Sequence, residues 1–178
     1  MSGKRAGVIL VAAASVLLAA TWLLVAEPRA TRFPEPGKPM PDFAYPSLNG
    51  DTLRLSEQRG RVVLVNIWAT WCLPCREEMP SMQRSYDLYA DSGFTVLAVS
   101  IDADTVPVRP FVDELRLNFP ILLDPKGSIL AAYGAAGVPE SFLVDRRGRL
   151  VIRRLGADDW HSERNRSLIS TLLRDPKF

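Results

Sequence analysis

The order of apolar runs in this chain predicts an α/β fold, a mixed central sheet flanked by helices. Three observations predict it. Residues 61–68 (RVVLVNIW) and 94–101 (FTVLAVSI) are continuous, mostly β-branched runs, the pattern of strands buried on both faces. Each is followed by a segment of helical pattern, the alternation a parallel sheet requires. The chain then closes with a hairpin and a last helix, which makes the sheet mixed.

The elements follow in order. Residues 43–45 and 52–55 flank Leu48-Asn49-Gly50-Asp51, an Asn-Gly hairpin signal, and predict an N-terminal β-hairpin extension. The first long strand is 61–68. Residues 73–91 are helical in pattern, with Pro80 expected to kink the helix. The second long strand, 94–101, leads to a helix at 110–117 opened by Pro110 in its first position. A short strand at 121–123 and a short helix at 128–133 come next. Residues 141–144 and 150–154 form a hairpin around Arg147-Gly148, and Asp158 caps a final helix reaching Leu173.

At 178 residues there is room for one domain of ordinary size. Of the 22 Lys and Arg, only Lys4 and Arg5 precede residue 27, so twenty remain against all 20 Asp and Glu. The domain is formally neutral and has no electrostatic reason to bind nucleic acid. Residues 7–26 (GVILVAAASVLLAATWLLVA) carry no charge, and twenty helical residues span about 30 Å, one hydrocarbon core. Lys4 and Arg5 before this run keep residues 1–6 in the cytoplasm, although Arg29, Arg32 and Lys38 follow on the other side. A removed signal peptide is the competing reading. The run exceeds the about 7–15 residues of a secretory core, and Leu24 stands two places before Ala26 where a small residue belongs, so an uncleaved single-pass anchor is expected. Residues 27–41 hold five prolines in fifteen positions and read as a stiff linker into a domain spanning 37–178.

The chain has two cysteines, Cys72 and Cys75, in Trp71-Cys72-Leu73-Pro74-Cys75. A buried strand ends at Trp68, a short turn follows, and a helix opens at the first cysteine. Unpaired N–H groups and the positive end of the helix dipole there stabilise a thiolate. Cys72 is then the exposed nucleophile and Cys75 the buried resolving thiol. Half a zinc site is a weaker reading, because four ligands are needed and only His161 and carboxylates remain. A purely structural disulfide is also weaker, since so short a loop gains little chain entropy. No metal or organic cofactor is expected.

Residues 65–80 (VNIWATWCLPCREEMP) resemble the active-site segment of thioredoxin-like proteins of the TlpA and ResA type, with a likeness also to the CcmG/DsbE kind. Residues 137–151 (GVPESFLVDRRGRLV) resemble the same family's cis-proline loop and closing hairpin. The likeness covers about residues 37 to 175 and implies a thioredoxin-like fold. It implies a protein-disulfide reductase on the periplasmic side of the bacterial inner membrane, re-reduced by a membrane thiol transporter. Apocytochrome c or copper-site cysteines of an oxidase assembly protein are the implied substrates.

The resemblance carries residue roles. Pro139 matches the cis-proline, and Val138 before it is expected to pair its backbone with an extended substrate. Trp71, Leu73 and Pro74 flank the reactive sulfur as substrate contacts. Thioredoxin itself has a buried aspartate where this chain has Asn66, which cannot titrate. Glu78, three residues after Cys75 and about 60° around the helix, is the substitute, partly buried with a raised pKa and able to deprotonate Cys75. Glu77 points to solvent. Trp68 either frames the sulfur or packs in the core, and Trp160 packs the last helix. Glu140 contacts substrate or is simply exposed, and His161 is a surface helix residue without a role. Arg146, Arg147, Arg149, Arg153 and Arg154 form a solvated hairpin face or meet an acidic partner or lipid headgroups.

Rival functions remain. An oxidant or isomerase of secreted proteins would use the same dithiol with electrons flowing the other way. A peroxiredoxin would carry Thr three residues before its cysteine, where this chain has Ala69. A copper chaperone of the Sco type would use a wider cysteine pair and a distant His.

Overall fold

The structure, a computed structural model, describes residues 34–175. The expected membrane span at 7–26 and the start of the Pro-rich stretch lie outside the described residues. Among the described residues no helix is long and apolar enough to cross a membrane.

Strands β1 (Ala44–Pro46) and β2 (Thr52–Arg54) form the expected antiparallel hairpin. Gly50 takes φ +95° in its turn, a backbone state that costs glycine nothing. The main sheet holds β3 (Val62–Trp68), β4 (Phe94–Ser100), β5 (Ile121–Leu123), β6 (Glu140–Val144) and β7 (Leu150–Leu155), in spatial order β5-β4-β3-β6-β7. β3, β4 and β5 run parallel, while β6 and β7 pair antiparallel to their neighbours. Every residue of β3 and β4 is buried, as their largely apolar runs require.

Among the described residues, four α-helices cover the sheet: α1 (Leu73–Tyr89), α2 (Val108–Glu114), α3 (Ser128–Tyr133) and α4 (Glu163–Arg174). Side chains alternate across β3, so Val62, Leu64 and Trp68 share one face, where they cluster with Met79 and Met82 of α1, Phe111 of α2 and Ile169 of α4. Val63, Val65 and Ile67 face the other way, toward Ile129 and Tyr133 of α3 and the N-terminal Met40 and Phe43. Asn66 falls on the α1 side.

Several boundaries differ from the sequence expectation. Helix α1 continues through Pro80 to Tyr89 and tightens into a 3₁₀ turn at Ala90–Ser92. Helix α2 begins at Val108, with Pro107 as its cap and Pro110 third in the helix. Proline is tolerated there because the first-turn N–H groups have no intrahelical acceptor to lose. The last helix is capped by Ser162, whose Oγ accepts from the Asn165 N–H, and not by Asp158. Asp158 is committed elsewhere, its N–H to Glu78 and its carboxylate to Arg154 and Arg164.

The end of the Pro-rich stretch is part of the domain. Gly37 donates to the Leu150 carbonyl at 2.7 Å, and Met40 is buried. The hairpin turn beside it needs glycine at 148, where φ is +76° and a Cβ would lie 1.9 Å from the Arg59 guanidinium. The arginines of this hairpin are not one solvated face. Arg153 pairs with Glu140, Arg154 pairs with Asp158, and Arg149 donates to the Gly37 carbonyl.

Candidate active site

β3 ends at Trp68, and four residues later Cys72 takes the N-cap of α1 in extended backbone conformation. Its sulfur accepts from the Cys75 N–H at 3.2 Å, so a capping interaction that Ser or Asp makes elsewhere is made here by the reactive atom. Pro74 occupies a first-turn position where its missing N–H is not needed. Cys72 and Cys75 are joined as a disulfide. Cys72 keeps 5% of its surface exposed and Cys75 none, so the expected order of access holds, although Cys72 is itself largely covered.

Trp71 (68% exposed) and Leu73 (66%) stand out from the surface on either side of Cys72, with Pro74 also exposed. Trp68 is fully buried against Phe111, with ring centroids 4.8 Å apart, and belongs to the core. The Val138–Pro139 peptide is cis. The ladder between β3 and β6 begins at Glu140, so Val138 precedes the first paired residue. Pro139 is buried, and its carbonyl accepts from the Gly156 N–H.

Glu78 is buried, with 3% of its surface exposed, and Glu77 is exposed. Glu78 Oε1 accepts from Asn66 Nδ2 at 2.8 Å, and its Oε2 accepts from the Asp158 N–H at 3.2 Å. Asn66 Nδ2 also donates to Ser141 Oγ at 2.9 Å. Burial is the largest influence on the carboxyl and pushes its pKa from 4.5 up to about 7. The two hydrogen bonds and the Trp160 indole pull it down, while the negative charge of Asp158 adds to the rise. Glu78 is therefore a carboxyl that changes charge near neutral pH. It lies three residues after Cys75 on the same helix, the spacing that brings side chains together.

The geometry therefore joins a Cys72–Cys75 disulfide at a helix N-terminus, a cis-proline loop and a buried carboxyl near its titration point. Residues 36–153 match the AhpC/TSA family, two thirds of the sequence and all of these features. The chain belongs to the AhpC/TSA family. This AhpC/TSA domain is 37% identical over 117 residues to the thiol-disulfide oxidoreductase ResA of Bacillus thuringiensis subsp. konkukian, covering 66% of this chain and 68% of that one. It is 39% identical over 114 residues to ResA of Geobacillus thermodenitrificans, covering 64% and 66%. Among solved structures it resembles a thiol:disulfide interchange protein DsbE from Chlorobium tepidum, with TM-score 0.74, 36% identity, and 79% and 99% of the two chains covered. The AhpC/TSA domain is thus a ResA-like thiol–disulfide oxidoreductase with a thioredoxin-like fold, and its Cys-x-x-Cys pair is Cys72 and Cys75.

Sequence reasoning missed several residues around this AhpC/TSA site. Asp102 is buried at the end of β4 and accepts from the Thr70 N–H at 3.0 Å, Thr70 Oγ1 at 2.6 Å and Ser100 Oγ at 2.7 Å. It ties down the turn that presents Cys72. Its only sequence signal is an acidic residue just past a buried strand. Glu140, read from the sequence as a substrate contact or simply exposed, is buried. It is 1% exposed, paired with Arg153, and its Oε2 accepts from the Ala136 N–H at 3.2 Å, which pins the loop before Pro139. His161 precedes α4 and is half-buried, with Nδ1 3.2 Å from Ser85 Oγ. Trp160 is fully buried in the cluster that holds Ile169 and Leu172 of α4. Among the described residues no group of His, Cys, Asp and Glu is placed to hold a metal ion.

Proposed function

We propose that this oxidoreductase is a membrane-anchored, extracytoplasmic reductase of protein disulfides that serves cytochrome c or cytochrome oxidase biogenesis. The observation that carries the reading is the placing of Cys75 and a buried Glu78 three residues apart on α1, behind a Cys72 that caps the helix. The Cys72 thiolate, stabilised by the helix N-terminus, attacks a substrate disulfide and forms a mixed disulfide, releasing one substrate thiolate. Glu78 takes the proton of Cys75. The Cys75 thiolate then attacks the Cys72 sulfur, closes the disulfide seen here and frees the second substrate thiol. Two electrons have passed to the substrate, and a membrane thiol transporter returns them.

Val138 offers its backbone to an extended substrate segment, while Trp71, Leu73 and Pro74 supply apolar contact beside the sulfur. The uncharged run at 7–26 supplies the anchor, which places the domain across the inner membrane from the cytoplasm. Apocytochrome c and copper-site assembly proteins are the substrate classes that the TlpA and ResA resemblance supports.

The deciding experiment is the reduction potential of the Cys72–Cys75 pair, equilibrated against defined thiol buffers. A value near or below the roughly −270 mV of thioredoxin supports a reductase. A value near the roughly −120 mV of a strong oxidant overturns that direction and makes oxidation of secreted proteins the better reading. A Cys75→Ser variant, which stalls at the mixed disulfide, then captures the substrate for identification.

A further inference from the structure

Glu78, although only 3% exposed, is among the residues lining a cleft that the reaction scheme above does not use. This cleft of about 340 Å³ lies between α1, which contributes Glu78, Ser81 and Arg84, and the loop after β7, which contributes Ala157, Asp158 and Asp159. Glu77 stands at its rim. Trp71, Cys72, Leu73, Val138 and Pro139 are all absent from its lining. Six helical residues separate Cys72 from Glu78, about 9 Å along α1 and about 120° around it. The cleft and the substrate face therefore lie on different sides of the same helix.

That separation matters at one step. In the mixed disulfide a substrate polypeptide sits over Cys72, and Cys75 is fully buried. Cys75 must lose a proton before it can attack, yet the nearest face is covered. We infer that the cleft is the proton port of the reaction: the proton of Cys75 passes to the Glu78 carboxylate and leaves to solvent between Arg84 and Asp158. This rests on the role of Glu78 proposed above. Cys75–SH and Glu78–COO⁻ become Cys75–S⁻ and Glu78–COOH. The thiolate forms the Cys72–Cys75 bond as the mixed disulfide breaks, the substrate sulfur leaves as thiolate, and Glu78–COOH returns its proton to water or a buffer base in the cleft. No further oxidant or reductant enters.

The surroundings suit a port. The Asp158 N–H holds one Glu78 oxygen while Asn66 holds the other, so the carboxyl is fixed in orientation. The Asp158 carboxylate, held by Arg154 and Arg164, sits beside it and favours its protonated form. Arg84 is exposed on α1, and the Asp159 carboxylate caps the His161 N–H. Glu77, Arg84, Asp158 and Asp159 thus line the cleft with Glu78, which is bonded on the sheet side to Asn66 and, through it, to Ser141.

The test uses the full chain, reduced and then loaded at Cys72 with either a small nitrobenzoate thiol or a long cysteine peptide. Release of the thiol by Cys75 is followed at increasing imidazole, a base small enough for the cleft. The port predicts equal acceleration by imidazole for both loads, several-fold over the accessible range. Ala157 is then replaced by Phe or Trp, choosing the variant in which a carbodiimide no longer labels Glu78. Imidazole acceleration is expected to vanish there, while attack by Cys72 on a small disulfide stays within about twofold of the parent rate. Acceleration that is lost with the peptide load, or that persists when Glu78 is shielded, overturns the port. Glu78→Gln separates the two ideas: an unchanged release rate removes the proton role of Glu78 itself, whereas slowed release with no effect of shielding removes only the port.

Discussion

Asn66 and Glu78, twelve positions apart, share a hydrogen bond of 2.8 Å from Asn66 Nδ2 to Glu78 Oε1, and neither side chain is exposed beyond 3%. A non-titrating amide on β3 thus holds the titrating carboxyl on α1. The carboxyl with the raised pKa sits on the helix, and the sheet position orients it. Ser141, the cross-strand partner of Asn66, fixes the amide in turn.

The closing of the disulfide by Cys75 is expected to depend on pH with a midpoint near that of Glu78, about 7. Only the carboxylate form accepts a proton, so the rate rises as pH passes upward through the midpoint. Glu78→Gln removes that inflection and slows the step by about 10²-fold, the lower range for a general base. Stopped-flow measurement of thiol release across pH 5–9 checks both.

Stability has the opposite pH sense. The Glu78 pKa is raised in the folded state, from 4.5 to about 7, so its contribution is complete below 4.5 and is lost as pH rises through 7. The loss reaches up to about 3 kcal/mol if the whole shift is expressed. Denaturant midpoints of the oxidised protein are expected to fall between pH 5 and 7.5. Glu78→Gln is expected to flatten that slope whatever its absolute stability, and a slope unchanged by the substitution assigns it to other groups.

Asp102→Asn is expected to loosen the turn before Cys72. One of the two oxygens that receive the Thr70 N–H, at 3.0 and 3.2 Å, becomes an NH2 that cannot accept, and the remaining bonds lose their charge assistance, at a cost of about 1–3 kcal/mol. Chemical denaturation reads this cost. The same variant is expected to shift the Cys72–Cys75 reduction potential, because the carboxylate ties Thr70, two residues from the reactive sulfur. A stability loss with an unchanged potential limits Asp102 to folding.

Glu140→Gln is expected to destabilise by about 2–3 kcal/mol, since Glu140 is almost fully buried and loses its charge-assisted bond with Arg153. Part of Arg153 reaches solvent, which keeps the cost below that of a fully enclosed pair. Faster hydrogen exchange at the Ala136 N–H is the local readout, because that donor loses the carboxylate it bonds.

The sequence by itself determined the elements whose signal is local. Largely apolar runs placed β3 and β4, Asn49-Gly50 placed the first hairpin, and the Cys-x-x-Cys spacing after a strand placed Cys72 at a helix start, because period and turn chemistry act over a few residues. The helix also put Glu78 within reach of Cys75 through simple angular spacing. Only the tertiary structure decided what crosses between elements. Asp158 reads as a helix cap in sequence, but its N–H is drawn to a carboxylate eighty positions away, and Ser162 takes the cap instead. Glu140 reads as a substrate contact or as simply exposed, yet the register of β6 against β3 and β7 turns it inward onto Arg153. Strand register and helix packing set these contacts, and both depend on how distant segments bury their apolar faces together, a choice that no local pattern encodes.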